Sequence, residues 1–211
     1  IAALSTRQAV KLAETAAAAG CRGLMVLPAY VHKGGMHEAR AHLDAVLRAT
    51  GLPCMLYNNP PAYGVDFTPP FIAELAAAHG NLVAVKESSG DSRRVTAIKA
   101  LVGERLAVLV GMDDMLVEGV AVGASGWVAG LVNAFPRESV RLFELAAAGQ
   151  LPQALALNRW FLPLLRLDTV PEFVQLIKLV QQEVGQGNER VRLPRLPAQG
   201  ALREHALAVL H

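Results

Sequence analysis

The chain has 211 residues, of which 53% are hydrophobic, 5% aromatic and 18% charged, and its formal net charge is +2 at pH 7. That length suits one domain, or a large part of one, with a substantial core, and the apolar content excludes intrinsic disorder. The near-neutral balance, with Lys and Arg scattered, excludes a nucleic-acid footprint.

In chain order the pattern alternates apolar strand and alanine-rich helix. Ser5 with Gln8 reads as a capping-box start for a helix that runs to Gly20, a natural C-terminal glycine. The first residues lack the basic segment and apolar core of a secretory signal, so a cytoplasmic protein is expected. A strand over Gly23 to Pro28 precedes a helix over Met36 to Thr50, ended by Gly51. Leu52 to Tyr57 is the next strand, and Thr68-Pro69 opens a helix that ends at Gly80. The strand Leu82 to Lys86 leads to a helix over Ser92 to Val102. Leu106 to Gly111 is followed by a helix over Asp114 to Val122, and a strand Gly126 to Leu131 by a helix over Pro136 to Ala148. Beyond Gly149 the pattern is all helical, with helices over Pro152 to Leu167, Val170 to Val184 and Ala201 to Leu210. This division predicts a β/α region over 1–149 and a helical region over 150–211. The helical region either makes subunit contacts or covers the sheet. The most apolar stretch, Met115 to Phe135, holds Glu118 and several glycines, which argues against a membrane span.

Repeated β-α units predict a parallel sheet with right-handed crossovers. Five such strands are too few for a closed (β/α)8 barrel.

Lys86 stands at the end of the apolar run Leu82-Val83-Ala84-Val85 and before Glu87-Ser88-Ser89-Gly90-Asp91. At the carboxyl end of a buried strand an amine is partly desolvated, which frees its lone pair for attack on a carbonyl. The bland alternative is a lysine that reaches solvent or pairs with Glu87. Tyr57-Asn58-Asn59-Pro60 closes the preceding strand in the same way. Parallel β/α arrays build their sites at such strand ends, and a tyrosine hydroxyl there can shuttle protons. The alternative is a tyrosine that only packs its ring.

Together these motifs resemble the dihydrodipicolinate synthase / N-acetylneuraminate lyase family of class I aldolases and dehydratases. The resemblance rests on Gly23-Leu24-Met25-Val26-Leu27-Pro28-Ala29-Tyr30, on Tyr57-Asn58-Asn59-Pro60 and on Val85-Lys86-Glu87-Ser88-Ser89-Gly90-Asp91. It continues through Gly111-Met112-Asp113-Asp114 and Gly123-Ala124-Ser125-Gly126-Trp127-Val128, and so spans essentially the whole chain. The resemblance implies that Lys86 forms an imine with a 2-oxo acid and that Tyr57 shuttles protons. It further implies that Tyr30 reaches across a subunit interface to complete a relay, and that Asn59, Gly111 and Val128 line the substrate pocket, Val128 through its carbonyl. It implies a homo-oligomer, dimer or tetramer, acting on a small 2-oxo acid or imine without cofactor or metal.

The strands present would be the fourth through eighth of the family barrel, making this an N-terminally incomplete (β/α)8 barrel without the Gly-Thr-Thr loop that binds the 2-oxo-acid carboxylate. An inactive half-barrel with a structural role is the reading from another class. The diaminopimelate-pathway enzymes carry an arginine after the tyrosine motif, whereas here Pro61-Ala62-Tyr63-Gly64-Val65-Asp66 follows. That departure argues against dihydrodipicolinate synthesis. Tyr57-Asn58-Asn59-Pro60, the stretch Gly126 to Pro136 and Leu167-Asp168-Thr169 most resemble the branch that deaminates 1-pyrroline-4-hydroxy-2-carboxylate. Sugar-acid dehydratases or aldolases and 4-hydroxy-tetrahydrodipicolinate synthase are the alternatives.

Other constellations point elsewhere than to chemistry. Cys21 and Cys54 read as small buried hydrophobes rather than a disulfide framework. His32, His37, His205 and His211 lack metal-ligand spacing, although His32, just past Tyr30, could touch substrate. Asp113-Asp114 suits capping of the helix that follows better than Mg²⁺ binding.

Overall fold

The computed structural model describes residues 1–210, so the tail position His211 lies outside the description. Helix α1 (Thr6–Ala18) starts where the Ser5 hydroxyl accepts the Gln8 N–H at 3.4 Å. It ends in a Schellman motif, with Gly20 at φ +86° and Cys21 N–H donating to Ala16 O at 3.0 Å. That turn swings Cys21 into solvent, so the expectation of a buried Cys21 is corrected, whereas Cys54 is buried.

Strand β1 (Leu24–Val26), helix α2 (Met36–Arg48) and strand β2 (Cys54–Asn58) follow. Where the sequence suggests only a turn, a single helical turn α3 (Pro60–Tyr63) forms. Asn59 Oδ1 caps it by accepting the Ala62 N–H at 3.1 Å, and Gly64, at φ +70°, ends it. Helix α4 (Pro69–Ala78) enters through Thr68 with Pro69 at its first position. Its last carbonyls are satisfied by the Arg105 guanidinium, which donates to Ala76 O at 3.1 Å and His79 O at 3.0 Å. Strand β3 (Leu82–Glu87), helix α5 (Arg93–Val102) and strand β4 (Ala107–Val110) come next. A 3₁₀ turn at Asp113–Met115 leads into α6 (Leu116–Ala121), followed by β5 (Gly126–Trp127) and α7 (Pro136–Ala147). Helices α8 (Leu151–Leu165), α9 (Phe173–Glu183) and α10 (Gly200–Leu210) complete the chain.

The expected strand over Gly126 to Leu131 is therefore cut to two residues, and Leu131–Asn133 is a 3₁₀ turn. The cause is Asp113, fully buried, whose carboxylate accepts the N–H of Gly130 at 3.0 Å and of Leu131 at 2.7 Å. It also accepts Trp127 Nε1–H at 3.2 Å. Donors that would continue a ladder are turned onto a carboxylate instead. Of the pair Asp113-Asp114, expected to offer a cap to the helix that follows, Asp113 thus holds the turn at Leu131.

The five strands are hydrogen-bonded in chain order, and β1–β2 and β2–β3 are parallel. The residues gather into two compact units, 1–109 with 122–126, and 110–121 with 127 onward. The first is cored by Leu43, Val46, Leu56, Ile72, Leu75, Leu82, Val85 and Ile98, from α2, β2, α4, β3 and α5. The second is a helical core around Phe161, with Leu131, Leu142, Leu165, Leu176 and Leu179 all buried and the Phe135 ring edge-on to Phe161 at 5.7 Å. No described helix is long and apolar enough to cross a membrane.

Candidate functional site

The site in the first unit is set by the register between β2 and β3. Cys54 faces Leu82, but Met55 faces Ala84, so Val83 is an extra residue in β3. Because side chains alternate with period two, this bulge decides which face each later residue takes. Without it Tyr57 would lie opposite Val85. With it Tyr57 lies directly opposite Lys86, and Asn58 opposite Glu87. Tyr57 and Lys86 therefore share one face, while Asn58, Val85 and Glu87 point to the other, under the helices.

That second face carries a buried polar network. Asn58, fully buried, donates through Nδ2 to Glu87 Oε2 at 2.9 Å and accepts Phe67 N–H at 3.0 Å. Glu87 Oε1 accepts Ser89 N–H at 2.6 Å. Glu87 is thus engaged with Asn58 and Ser89, and the alternative in which it pairs with Lys86 is not what the structure adopts. Nearby, Arg94 grips Asp66 with two bonds of 2.5 and 2.6 Å, which holds the Asp66 carboxyl below its usual range.

On the first face the Lys86 amine sits 4.2 Å from the centroid of the Tyr57 ring. Among the described residues no carboxylate lies within ion-pair distance of it. A cation over a tyrosine face gains about 0.5–2 kcal/mol, a preference that serves an ammonium and an iminium alike. The Tyr57 hydroxyl oxygen accepts from Asn59 Nδ2 at 3.0 Å. One asparagine therefore both caps α3 and orients Tyr57. With its oxygen already accepting, the Tyr57 hydroxyl keeps its own proton free to donate.

Tyr63, at the end of α3, was not among the residues expected here. Its ring stands edge-on to Tyr57 at 5.7 Å and tilted against Tyr30 at 6.2 Å. Burial, then the neighbouring Tyr57 and Tyr30 hydroxyls, push its ionisation above the ordinary tyrosine value. All three tyrosines of the chain thus form one row, with Tyr57 under the Lys86 amine at one end and exposed Tyr30 at the other. The only signal for Tyr63 in the sequence was its spacing of six residues from Tyr57, which carries no regular period. Ser88, fully buried two residues past Lys86, has a hydroxyl with no hydrogen-bond partner among the described residues.

Gly111, buried after β4, and Val128, whose N–H donates to Val110 O at 3.0 Å, belong to the second unit. His32 lies exposed on the loop after β1, and its Nε2 meets Glu38 at 3.2 Å, a carboxylate partner that its sequence context did not suggest. A cavity of about 350 Å³ adjoins it, lined in part by Thr6, His32, Glu38 and His42. Among the described residues no three His, Cys, Asp or Glu side chains cluster as a metal site would require. Burial raises the Cys54 thiol to about 11, so it is no nucleophile at neutral pH.

Comparison with known proteins accounts for the whole chain. The model of the dihydrodipicolinate synthetase family matches residues 1–211. The 4-hydroxy-tetrahydrodipicolinate synthase of Geotalea daltonii is 31% identical over 210 residues, which cover 98% of this chain and 71% of the relative. That of Sorangium cellulosum is 32% identical over 200 residues, 95% of this chain and 66% of its own length. Among solved structures, dihydrodipicolinate synthase from Aquifex aeolicus matches with a TM-score of 0.92 at 26% identity, over 98% of this chain and 71% of that one. The 4-hydroxy-tetrahydrodipicolinate synthase of Methylacidiphilum fumariolicum gives 0.91 at 28% identity, over 98% of this chain and 69% of that one. The chain therefore spans about seven tenths of such relatives, and its strands and helices are those of a partial (β/α)8 barrel with C-terminal helices.

Proposed function

Because the chain belongs to the dihydrodipicolinate synthetase family, a family of lyases, we propose that it works through an imine between Lys86 and a small 2-oxo acid or cyclic imine. The observation that carries this reading is the register-matched pair of Tyr57 and Lys86, with the amine over the tyrosine ring and free of carboxylates. The neutral amine of Lys86 attacks C2 of the substrate. Tyr57 then donates its proton to the oxygen or nitrogen leaving that carbon, and Asn59 keeps the hydroxyl aimed. The iminium that results draws electrons from C3, so a proton can leave there or a C3–C4 bond can break. Tyr30 serves the relay, from this subunit or from a partner in a dimer or tetramer.

The finer reading is deamination of 1-pyrroline-4-hydroxy-2-carboxylate. Ring opening at C2, loss of the 4-hydroxyl and hydrolysis consume one net water and give ammonia and 2,5-dioxopentanoate. It is supported by Pro61-Ala62-Tyr63-Gly64-Val65-Asp66, which holds no arginine where the diaminopimelate-pathway enzymes are expected to carry one. The relatives named 4-hydroxy-tetrahydrodipicolinate synthase favour the second reading, condensation of pyruvate with an aldehyde. Borohydride reduction in the presence of pyruvate should add to Lys86 the mass of pyruvate less one oxygen atom. No adduct at Lys86 would refute imine chemistry. Ammonia release from the hydroxypyrroline, set against pyruvate consumption with an aldehyde, separates the two substrates.

A further inference from the structure

The Tyr63 ring is half-buried against Tyr57 and Tyr30. Its hydroxyl is not a buried atom, and among the described residues no group hydrogen-bonds it, so it is open to a ligand. Its position is also built rather than incidental. The Asn59 cap, the Tyr63 N–H bond to Asn59 O at 3.0 Å and the left-handed Gly64 close the single turn α3, which folds Tyr63 back onto the strand end that carries Tyr57. Arg94, on α5, is consumed by its two bonds to Asp66. The residue packed against the ring that carries the Lys86 amine is an uncharged donor that keeps its proton at neutral pH.

We propose that Tyr63 is a specificity-determining residue, whose unpartnered hydroxyl binds a neutral hydroxyl on the part of the substrate remote from the carbon held by Lys86. This rests on the Lys86 imine reading above. An uncharged phenol in a half-buried wall satisfies a neutral hydroxyl, but it offers nothing to offset the desolvation of a second carboxylate. The substrate class it selects is a 2-oxo acid or cyclic imine with one carboxylate and a distal hydroxyl.

The test is borohydride trapping at Lys86 of the protein, comparing 1-pyrroline-4-hydroxy-2-carboxylate with its 4-deoxy analogue, in the wild type and in Tyr63→Phe. The quantity read is the ratio of the two trapping rates, which does not depend on how much of each preparation is active. The wild type should trap the hydroxylated compound about tenfold faster, as one neutral hydrogen bond allows, and Tyr63→Phe should bring the ratio close to one. A wild type without preference, or a Tyr63→Phe variant that keeps it, overturns the proposal. A pyruvate arm on the wild type separates the two layers. Failure to trap pyruvate brings down the imine reading and this proposal with it, whereas a pyruvate adduct with an unaltered ratio brings down only the role of Tyr63.

Discussion

Asn59 holds two structures together with two different atoms, and this allows its roles to be separated. Oδ1 accepts the Ala62 N–H at 3.1 Å and caps α3, while Nδ2 donates to the Tyr57 hydroxyl at 3.0 Å. Asn59→Ala removes both. Losing the cap costs about 1 kcal/mol, and losing a part-buried neutral hydrogen bond about another 1 kcal/mol, so a fall of about 2 kcal/mol in stability is expected. Asn59→Asp is nearly isosteric. The introduced carboxylate caps at least as well as the amide, so stability should stay within about 0.5 kcal/mol of wild type. Its second oxygen, however, stands where a donor stood. It can bond Tyr57 only by accepting the tyrosine proton, the same proton that the carbinolamine step requires. General acid–base catalysis contributes about 10²–10⁴ in rate, or about 3–5 kcal/mol of barrier, and this is what Asn59→Asp should lose. The assay is single-turnover imine formation, trapped by borohydride, beside urea unfolding of both variants. The two measurements should rank the variants oppositely, alanine worse in stability and aspartate worse in rate. An Asn59→Asp protein that forms the imine within about threefold of wild type would refute the argument that Tyr57 must present its proton.

Three further outcomes are expected. His42 is buried, with Nδ1 3.0 Å from the Thr6 hydroxyl, and burial lowers its pKa from the ordinary 6.5. A folded value below the unfolded one means that the stabilisation is complete above pH 6.5 and is lost as pH falls through the depressed value, so the urea midpoint should drop on that side and His42→Gln should flatten the slope. Asp113→Ala strips an acceptor from Trp127 Nε1 and from the N–H groups of Gly130 and Leu131, one of them buried. It should cost about 3–5 kcal/mol in urea unfolding and red-shift tryptophan emission, and an unchanged midpoint would contradict the role given to that carboxylate. Gly130→Ala would bring a Cβ to 2.1 Å from Asp168 Oδ1 and 2.9 Å from Ile177 Cδ1, so overpacking of about 1–3 kcal/mol is expected from the same measurement.

The proposed imine chemistry would draw on the same contact. A cation–π preference does not distinguish an ammonium from an iminium, so the Tyr57 ring that holds the Lys86 amine would also suit the proposed intermediate.

The order of strands and helices was legible in the sequence, because each rests on local signals. Ser5, Gly20, Gly51, Thr68-Pro69 and Gly149 punctuate the chain, and the runs between them match β1 to β4 and every helix except α3 within a few residues. Lys86 and Tyr57 were legible too, as polar residues at the ends of apolar strands. What the sequence could not determine is set by contacts between distant residues. The extra residue at Val83 turns Lys86 onto the face of Tyr57, and a one-residue register shift leaves no mark in an apolar run such as Leu82-Val83-Ala84-Val85. Asp113 cuts β5 short from 17 and 18 residues away in the chain, overriding strand propensity with a buried carboxylate. Glu87 turns to Asn58 rather than to its neighbour Lys86, because adjacent residues in a strand face opposite ways. Tyr63 reaches the site only because the α3 turn folds back on itself, bringing together side chains that no sequence period would align.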